Sequence, residues 1–204
     1  MSVPIPVNLA VEDEISEAIL RRMLQQTSKP FAVGQCFSRG GSGYLRRTIS
    51  GFNNAARGCP FFVMTDLDSA LCPPELVASW LQRPRHPNLL FRVAVKEAEA
   101  WVLADRQAIA AFLGVRRVLI PEDVDGIFDP KQFLINLARS SAYSTIRRDL
   151  VPPAGSLRRV GPLYNARIAQ FVEQRWEVAR ARHASTSCQR AMGRIEAFEP
   201  TWSS

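Results

Sequence analysis

Four short apolar runs, IPVNLAV (5–11), FAVGQCF (31–37), CPFFVMT (59–65) and NLLFRVAV (88–95), are each followed by a stretch that reads as a helix. This alternation constrains the fold more than any other feature. Short runs rich in Val, Phe and Leu suit buried strands, and strands joined by helical crossovers pair in parallel. The pattern predicts an α/β fold in which a mostly parallel sheet is flanked by helices. The first helix is expected in EDEISEAILRRMLQQ, where Ile15, Ala18, Ile19 and Met23 share a stripe with Leu24 at its edge. SRGGSGYLRR (38–47) reads as a flexible basic loop opening into a helix that runs to about Arg57. PPELVASWLQR is a helix started by Pro73 and Pro74, and KEAEAWVLADRQAIAAFLG is one helix ending at Gly114.

Beyond that point strands thin out. DPKQFLINLARSS is a capped helix, VPPAGSLRRVGP (151–162) a connector, and LYNARIAQFVEQRWEVARAR and SCQRAMGRIEAF two further helices, with a frayed tail EPTWSS. Trp176 lies at helical spacing from Phe171, Val172 and Ala179 and is assigned to the core.

No apolar run is long enough to span a bilayer, and the start MSVPIPVNLAVEDE has no signal-peptide pattern, so no membrane association and a cytoplasmic location are expected. Cys36, Cys59, Cys72 and Cys188 form no C-x-x-C pair, and His86 and His183 stand in no catalytic motif, which argues against zinc, a disulfide framework and an imidazole base. Charge is uneven: residues 139–194 hold eleven Arg and no Lys against three acids, while residues 1–138 are nearly balanced. Arginine-only basicity suits bidentate phosphate contacts; a solvated helical face is the plainer alternative.

The acidic residues cluster where strands should end. Glu12, Asp13 and Glu14 follow the first run, Asp66 and Asp68 the third, and Glu97 and Glu99 the fourth. In a parallel sheet all of these project from one edge, where ligands of such sheets bind. Converging carboxylates call for a hard cation, Mg²⁺ or Mn²⁺, with Asp66, Asp68 and Glu12 as ligands or base. Glu97 is preferred over Glu99 as the fourth-strand member, the alternative for both being acids that favour a helix start. Lys96 or Lys131 would stabilise a pentavalent phosphate. Arg39, Gly40, Gly41, Arg46 and Arg47 offer an anion site at a helix start, and Arg158 and Arg159 belong to the basic C-terminal region.

VNLAVEDEISEAIL followed by FFVMTDLD resembles the topoisomerase-primase (TOPRIM) catalytic domain, which has a glutamate ending a first strand and Asp-x-Asp ending a later one. LLFRVAVKEAEAWVLAD is similar to small stand-alone prokaryotic TOPRIM-like proteins related to the overcoming-lysogenization-defect (OLD) nucleases. The resemblance implies a TOPRIM-like domain over residues 1–125 with a basic α-helical extension, 126–204, packed on it. It further implies Mg²⁺-dependent nuclease chemistry on DNA or RNA, a role in antiphage defence, and an ABC-type or AAA-type ATPase partner. In it Glu12 corresponds to the first-strand glutamate and Asp66 and Asp68 to the metal pair, with Glu97 or Glu99 assisting. Asp13 departs from the family pattern, which has glycine there. Two rival expectations are a non-catalytic TOPRIM-like subunit and a haloacid-dehalogenase-type phosphatase, whose D-x-D-x-[TV] motif fails here at Ala70.

Overall fold

The computed structural model describes residues 3–38, 40–68 and 70–202. Strand β1 (Ile5–Val11) leads into α1 (Glu14–Gln25), β2 (Phe31–Phe37) into α2 (Gly41–Ala55), β3 (Phe61–Asp66) into α3 (Pro73–Trp80) and β4 (Leu89–Ala94) into α4 (Ala98–Ala104). Then follow α5 (Arg106–Leu113), α6 (Pro130–Arg139), α7 (Ser144–Leu150), α8 (Tyr164–Arg175), α9 (Val178–Ala181) and α10 (Thr186–Glu196). The strands form one all-parallel sheet in the order β2-β1-β3-β4, so the chain is α/β with helices flanking the sheet.

Strand alternation sorts the core. Val7, Leu9 and Val11 of β1 and Phe62 and Met64 of β3 join the cluster that includes α1, whereas Ala10, Phe61 and Val63 join the one that includes α2 and α3. Each large side chain so buried contributes on the order of 1.5–3 kcal/mol, which is why such short strands hold together. The chain leaves β1 toward β2 but leaves β3 toward β4. That reversal opens a crevice at the carboxyl ends of β1 and β3, where ligands of open parallel sheets bind.

Several elements differ from the sequence expectations. Helix α2 starts at Gly41, so two of the three glycines of the supposed loop lie inside it; Gly40 is its N-cap at φ 99°. The long helix expected after Lys96 is two, because Asp105 (φ −80°, ψ 67°) ends α4 and caps α5 by accepting the Ala108 N–H at 3.2 Å. The helix expected over 163–182 breaks at Trp176, whose extended backbone (φ −72°, ψ 135°) seats a fully buried indole that donates to the Trp101 carbonyl at 2.9 Å. The tail is tied down rather than frayed at Thr201, whose N–H donates to Asn88 Oδ1 at 2.8 Å while Asn88 Nδ2 donates back at 2.7 Å.

The connector after α7 is held by close approach. A Cβ on Gly161 would lie 2.4 Å from both Asp149 O and Leu150 C, so only glycine lets the chain return there. Cys36, Cys59, Cys72 and Cys188 are free thiols. Among the described residues no helix is long and apolar enough to cross a membrane.

Candidate active site

Glu12 follows β1 and Asp66 ends β3, and the two strands are neighbours. The Thr65 hydroxyl and the Asp66 N–H, the latter at 2.9 Å, both donate to Glu12 Oε1. Asp66 Oδ1 in turn accepts the Ala98 N–H at 2.7 Å, at the start of α4. Burial pushes the Glu12 carboxyl up, the bonds from Thr65 and Asp66 oppose that, and Asp68 and Asp13 add to it. Asp66 is raised well above the carboxylate range by burial, then by Glu99, Glu12 and Asp13, against the opposing charge of Lys131. Asp13 itself caps α1, accepting the Ser16 N–H at 2.9 Å.

The start of α4 brings the other acids in. Glu97 is its N-cap residue, and its Oε2 accepts the Lys131 N–H at 2.9 Å, which ties α4 to the start of α6. Glu99 is 1% exposed. Its Oε1 accepts from the Tyr164 hydroxyl at 3.2 Å and lies 3.5 Å from Lys131 Nζ, which is also 3.9 Å from Glu97 Oε1. Burial pushes Glu99 up to about 7, Lys131 pulls it down and Glu97 pushes it further up. Burial alone would lower Lys131, but Glu99, Glu97, Asp66 and Asp13 together raise it. Tyr164, at the start of α8, is buried against Glu99, and both burial and that charge raise its hydroxyl well above the usual range.

Asp68 does not continue the strand. β3 ends at Asp66, Leu67 is buried, and Asp68 is exposed with φ 47°, so Asp66 and Asp68 do not alternate onto one strand face. Lys96 has φ 67°, and these two are the non-glycine residues of positive φ among those described. They are joined: the Asp68 N–H donates to the Lys96 carbonyl at 3.1 Å. Left-handed backbone costs a side-chain-bearing residue about 1–2 kcal/mol, and such strain gathers at functional sites.

Two clefts flank the carboxylates. One, of about 490 Å³, is lined by Asp66, Asp68, Ser42, Gly43 and Arg46, among others. It meets the first turn of α2, whose cap Gly40 has no side chain to bond the helix's free N–H groups. Gly41 begins that helix, whereas Arg47 is exposed and does not line this cleft. Arg39 lies outside the described residues. The second cleft, of about 730 Å³, brings Glu97 and Lys131 together with Arg139, Arg158 and Arg159. The Pro- and Gly-rich connector thus carries its two arginines to the acidic edge.

The donor chemistry suits a hard divalent cation, since Glu12 and Asp66 bring oxygen ligands into one crevice and neither Glu12 Oε2 nor Asp66 Oδ2 accepts a hydrogen bond from the described residues. Among those residues no three Asp, Glu, His or Cys side chains form a ready metal-holding group. Sequence reasoning missed Thr65 and the place of Tyr164. Thr65 had one signal, a polar residue closing a buried apolar run; Tyr164 lies 65 positions from Glu99 and had none. No protein-family model, no curated protein and no solved structure matches the chain.

Proposed function

We propose that this chain is a TOPRIM-type, Mg²⁺- or Mn²⁺-dependent nuclease that cleaves phosphodiester bonds of DNA or RNA. The observation that carries the reading is the meeting of Glu12 and Asp66 at the switch between β1 and β3, in a crevice where burial, and after it neighbouring carboxylates, raise both carboxyls. Acids so crowded are stabilised by a cation, and perturbed carboxyls in a cleft mark functional sites. A cation bound by Glu12 and Asp66 would supply Lewis-acid charge at the scissile phosphate. Arg46 and the free N–H groups at the start of α2 would orient phosphate oxygens in the first cleft. Lys131, held between Glu97 and Glu99, is placed to offset charge that develops on the phosphate.

The test is to offer the purified chain supercoiled DNA, single-stranded DNA and structured RNA, with Mg²⁺, with Mn²⁺ and with EDTA. Metal-dependent cleavage by the wild type that Asp66→Asn loses supports the reading. Turnover of p-nitrophenyl phosphate, with beryllofluoride inhibition, would replace it with an aspartyl-phosphate mechanism on Asp66. A second reading, a non-catalytic subunit that uses this edge for structure, is favoured by the engagement of Glu12 Oε1 with Thr65 and Asp66. It predicts that Glu12→Gln lowers stability while wild type and variant are equally silent on every substrate.

A further inference from the structure

Phe128 is 88% exposed, although it sits in the middle of the chain, one residue before the Asp129 cap of α6. Leaving a phenyl ring in water forgoes on the order of 2 kcal/mol of burial, and its surroundings at the candidate site decide what the ring can do. Its surroundings are basic. The Lys96 ammonium lies 5.7 Å from the ring centroid, and Lys96 is one of the two side-chain-bearing residues held at positive φ on the acidic edge. The adjacent Asp129 and Lys131 line the second cleft, whose opposite lip is the connector with Arg158 and Arg159. Between Ser156 and Arg158 stands Leu157, fully solvent-exposed.

We infer that Phe128 is a stacking platform for an unpaired base, and that the second cleft guides single-stranded nucleic acid, its backbone on Arg158 and Arg159, toward the carboxylates. This rests on the nuclease reading and narrows its substrate. An exposed aromatic face accepts a base only when the base is free of its own stack, which a duplex does not offer. Flanking cations match a polyanion, and every base has a π-face, so recognition by this platform is independent of sequence. The cleft's two acids, Glu97 and Asp129, are outnumbered by Lys131, Arg139, Arg158 and Arg159.

The experiment measures binding of three fluorescent probes: a single-stranded oligonucleotide, an abasic strand of equal length, and a blunt duplex. It uses the full chain, in EDTA and again in Ca²⁺, with wild type, Phe128→Ala and Phe128→Trp. Expected are an affinity of Phe128→Ala for the single strand about tenfold weaker than that of the wild type, unchanged affinity for the abasic strand, and recovery in Phe128→Trp. Unchanged thermal unfolding of both variants excludes a folding defect. Equal single-strand affinity of wild type and Phe128→Ala, or an equal loss on the abasic strand, overturns the platform while leaving the nuclease reading standing. Failure of the wild type to bind any probe in either condition overturns the nucleic-acid reading itself, and the platform with it.

Discussion

Helix α4 has carboxylates at both ends, one buried at its carboxyl end and several buried or half-buried at its amino end, and the two ends are built on opposite plans. At its carboxyl end Asp105 is wholly buried and fully matched: Arg180 donates to Oδ1 at 2.8 Å and to Oδ2 at 2.7 Å, and the Glu177 and Ala108 N–H groups complete the set. At its amino end Asp66, Glu97 and Glu99 crowd around Lys131, and burial raises both Asp66 and Glu99, with Glu99 adding to the first and Glu97 to the second. The first arrangement joins α4, α5 and α9, and losing it damages the fold. The second is left short of positive charge at the sheet edge where ligands bind, an arrangement that a cation would relieve.

The sharpest way to break this contrast is a paired substitution. Asp66→Asn removes a repelled carboxyl and keeps an acceptor for the Ala98 N–H, so metal-dependent cleavage should fall by a thousandfold or more, a barrier increase of about 4 kcal/mol, while the urea midpoint holds or rises. Gel-based cleavage assays and urea titration read the two halves. Loss of stability with full activity would reverse the assignment. Asp105→Ala should do the opposite, leaving the crevice intact but costing about 3 kcal/mol of stability, because it strips partners from Arg180 and from two backbone N–H groups. The outer face of Arg180 is solvated, which keeps the loss below that of a fully interior pair. For a chain of this size the loss corresponds to a fall in thermal midpoint of about 10 °C.

The two ends of α4 also show what was legible in the sequence and what was not. The strands were readable because their apolar runs are short, dense and punctuated, and β4 was placed within one residue at either end. The split of the helix at Asp105 was not readable, since the apolar stripe from Trp101 to Ile109 passes through it without interruption. The break depends on Arg180 and Glu177, more than seventy positions away. Local pattern favours Glu97 over Glu99 and cannot show that Glu99 is buried by Tyr164 and paired with Lys131, both brought in by later helices. Glu12 with Asp66 was foreseeable from two strand ends in a parallel sheet. The left-handed turn at Asp68 was not, as Asp tolerates both the strand and the turn.

The amino end of α4 should also betray itself by pH. The folded chain holds the Glu99 proton more tightly than the unfolded chain, with a value of about 7 against an ordinary 4.5. The folded state therefore binds the extra proton between those values, and its stabilising effect, complete below about pH 4.5, is lost as pH rises through about 7. The groups facing Glu99 are Lys131, Glu97, Tyr164, Asp66 and Asp13. Asp66, also raised, acts in the same direction. Urea titrations at pH 5 and pH 8, without divalent cation, should differ by on the order of 2–3 kcal/mol in favour of pH 5. Glu99→Gln should remove most of the difference, and 10 mM Mg²⁺, which favours the ionised carboxyls, should shrink it (the concentration being on the order of usual assay conditions). A flat profile in the wild type would mean that Lys131 alone neutralises this end, as Arg180 does the other.

The smallest expected effect concerns the arginines that overlook the underpaired end. Arg158 and Arg159 are exposed, make no ion pair among the described residues, and line the cleft that reaches Glu97 and Lys131. Each phosphate they neutralise releases condensed counterion, so the log of nucleic-acid affinity should fall linearly with the log of salt concentration. Changing both to Ala should reduce that slope by up to about two on double-stranded DNA and somewhat less on a single strand, without altering sequence preference or stability. Arg180→Ala is the matching control: its guanidinium is committed to Asp105, so it should lower stability and leave the salt slope unchanged. Fluorescence anisotropy from about 50 to 200 mM salt measures all three proteins. A slope that changes in Arg180→Ala and not in the double variant would place the phosphate-binding face at the carboxyl end of α4, and the division of labour between its two ends would have to be redrawn.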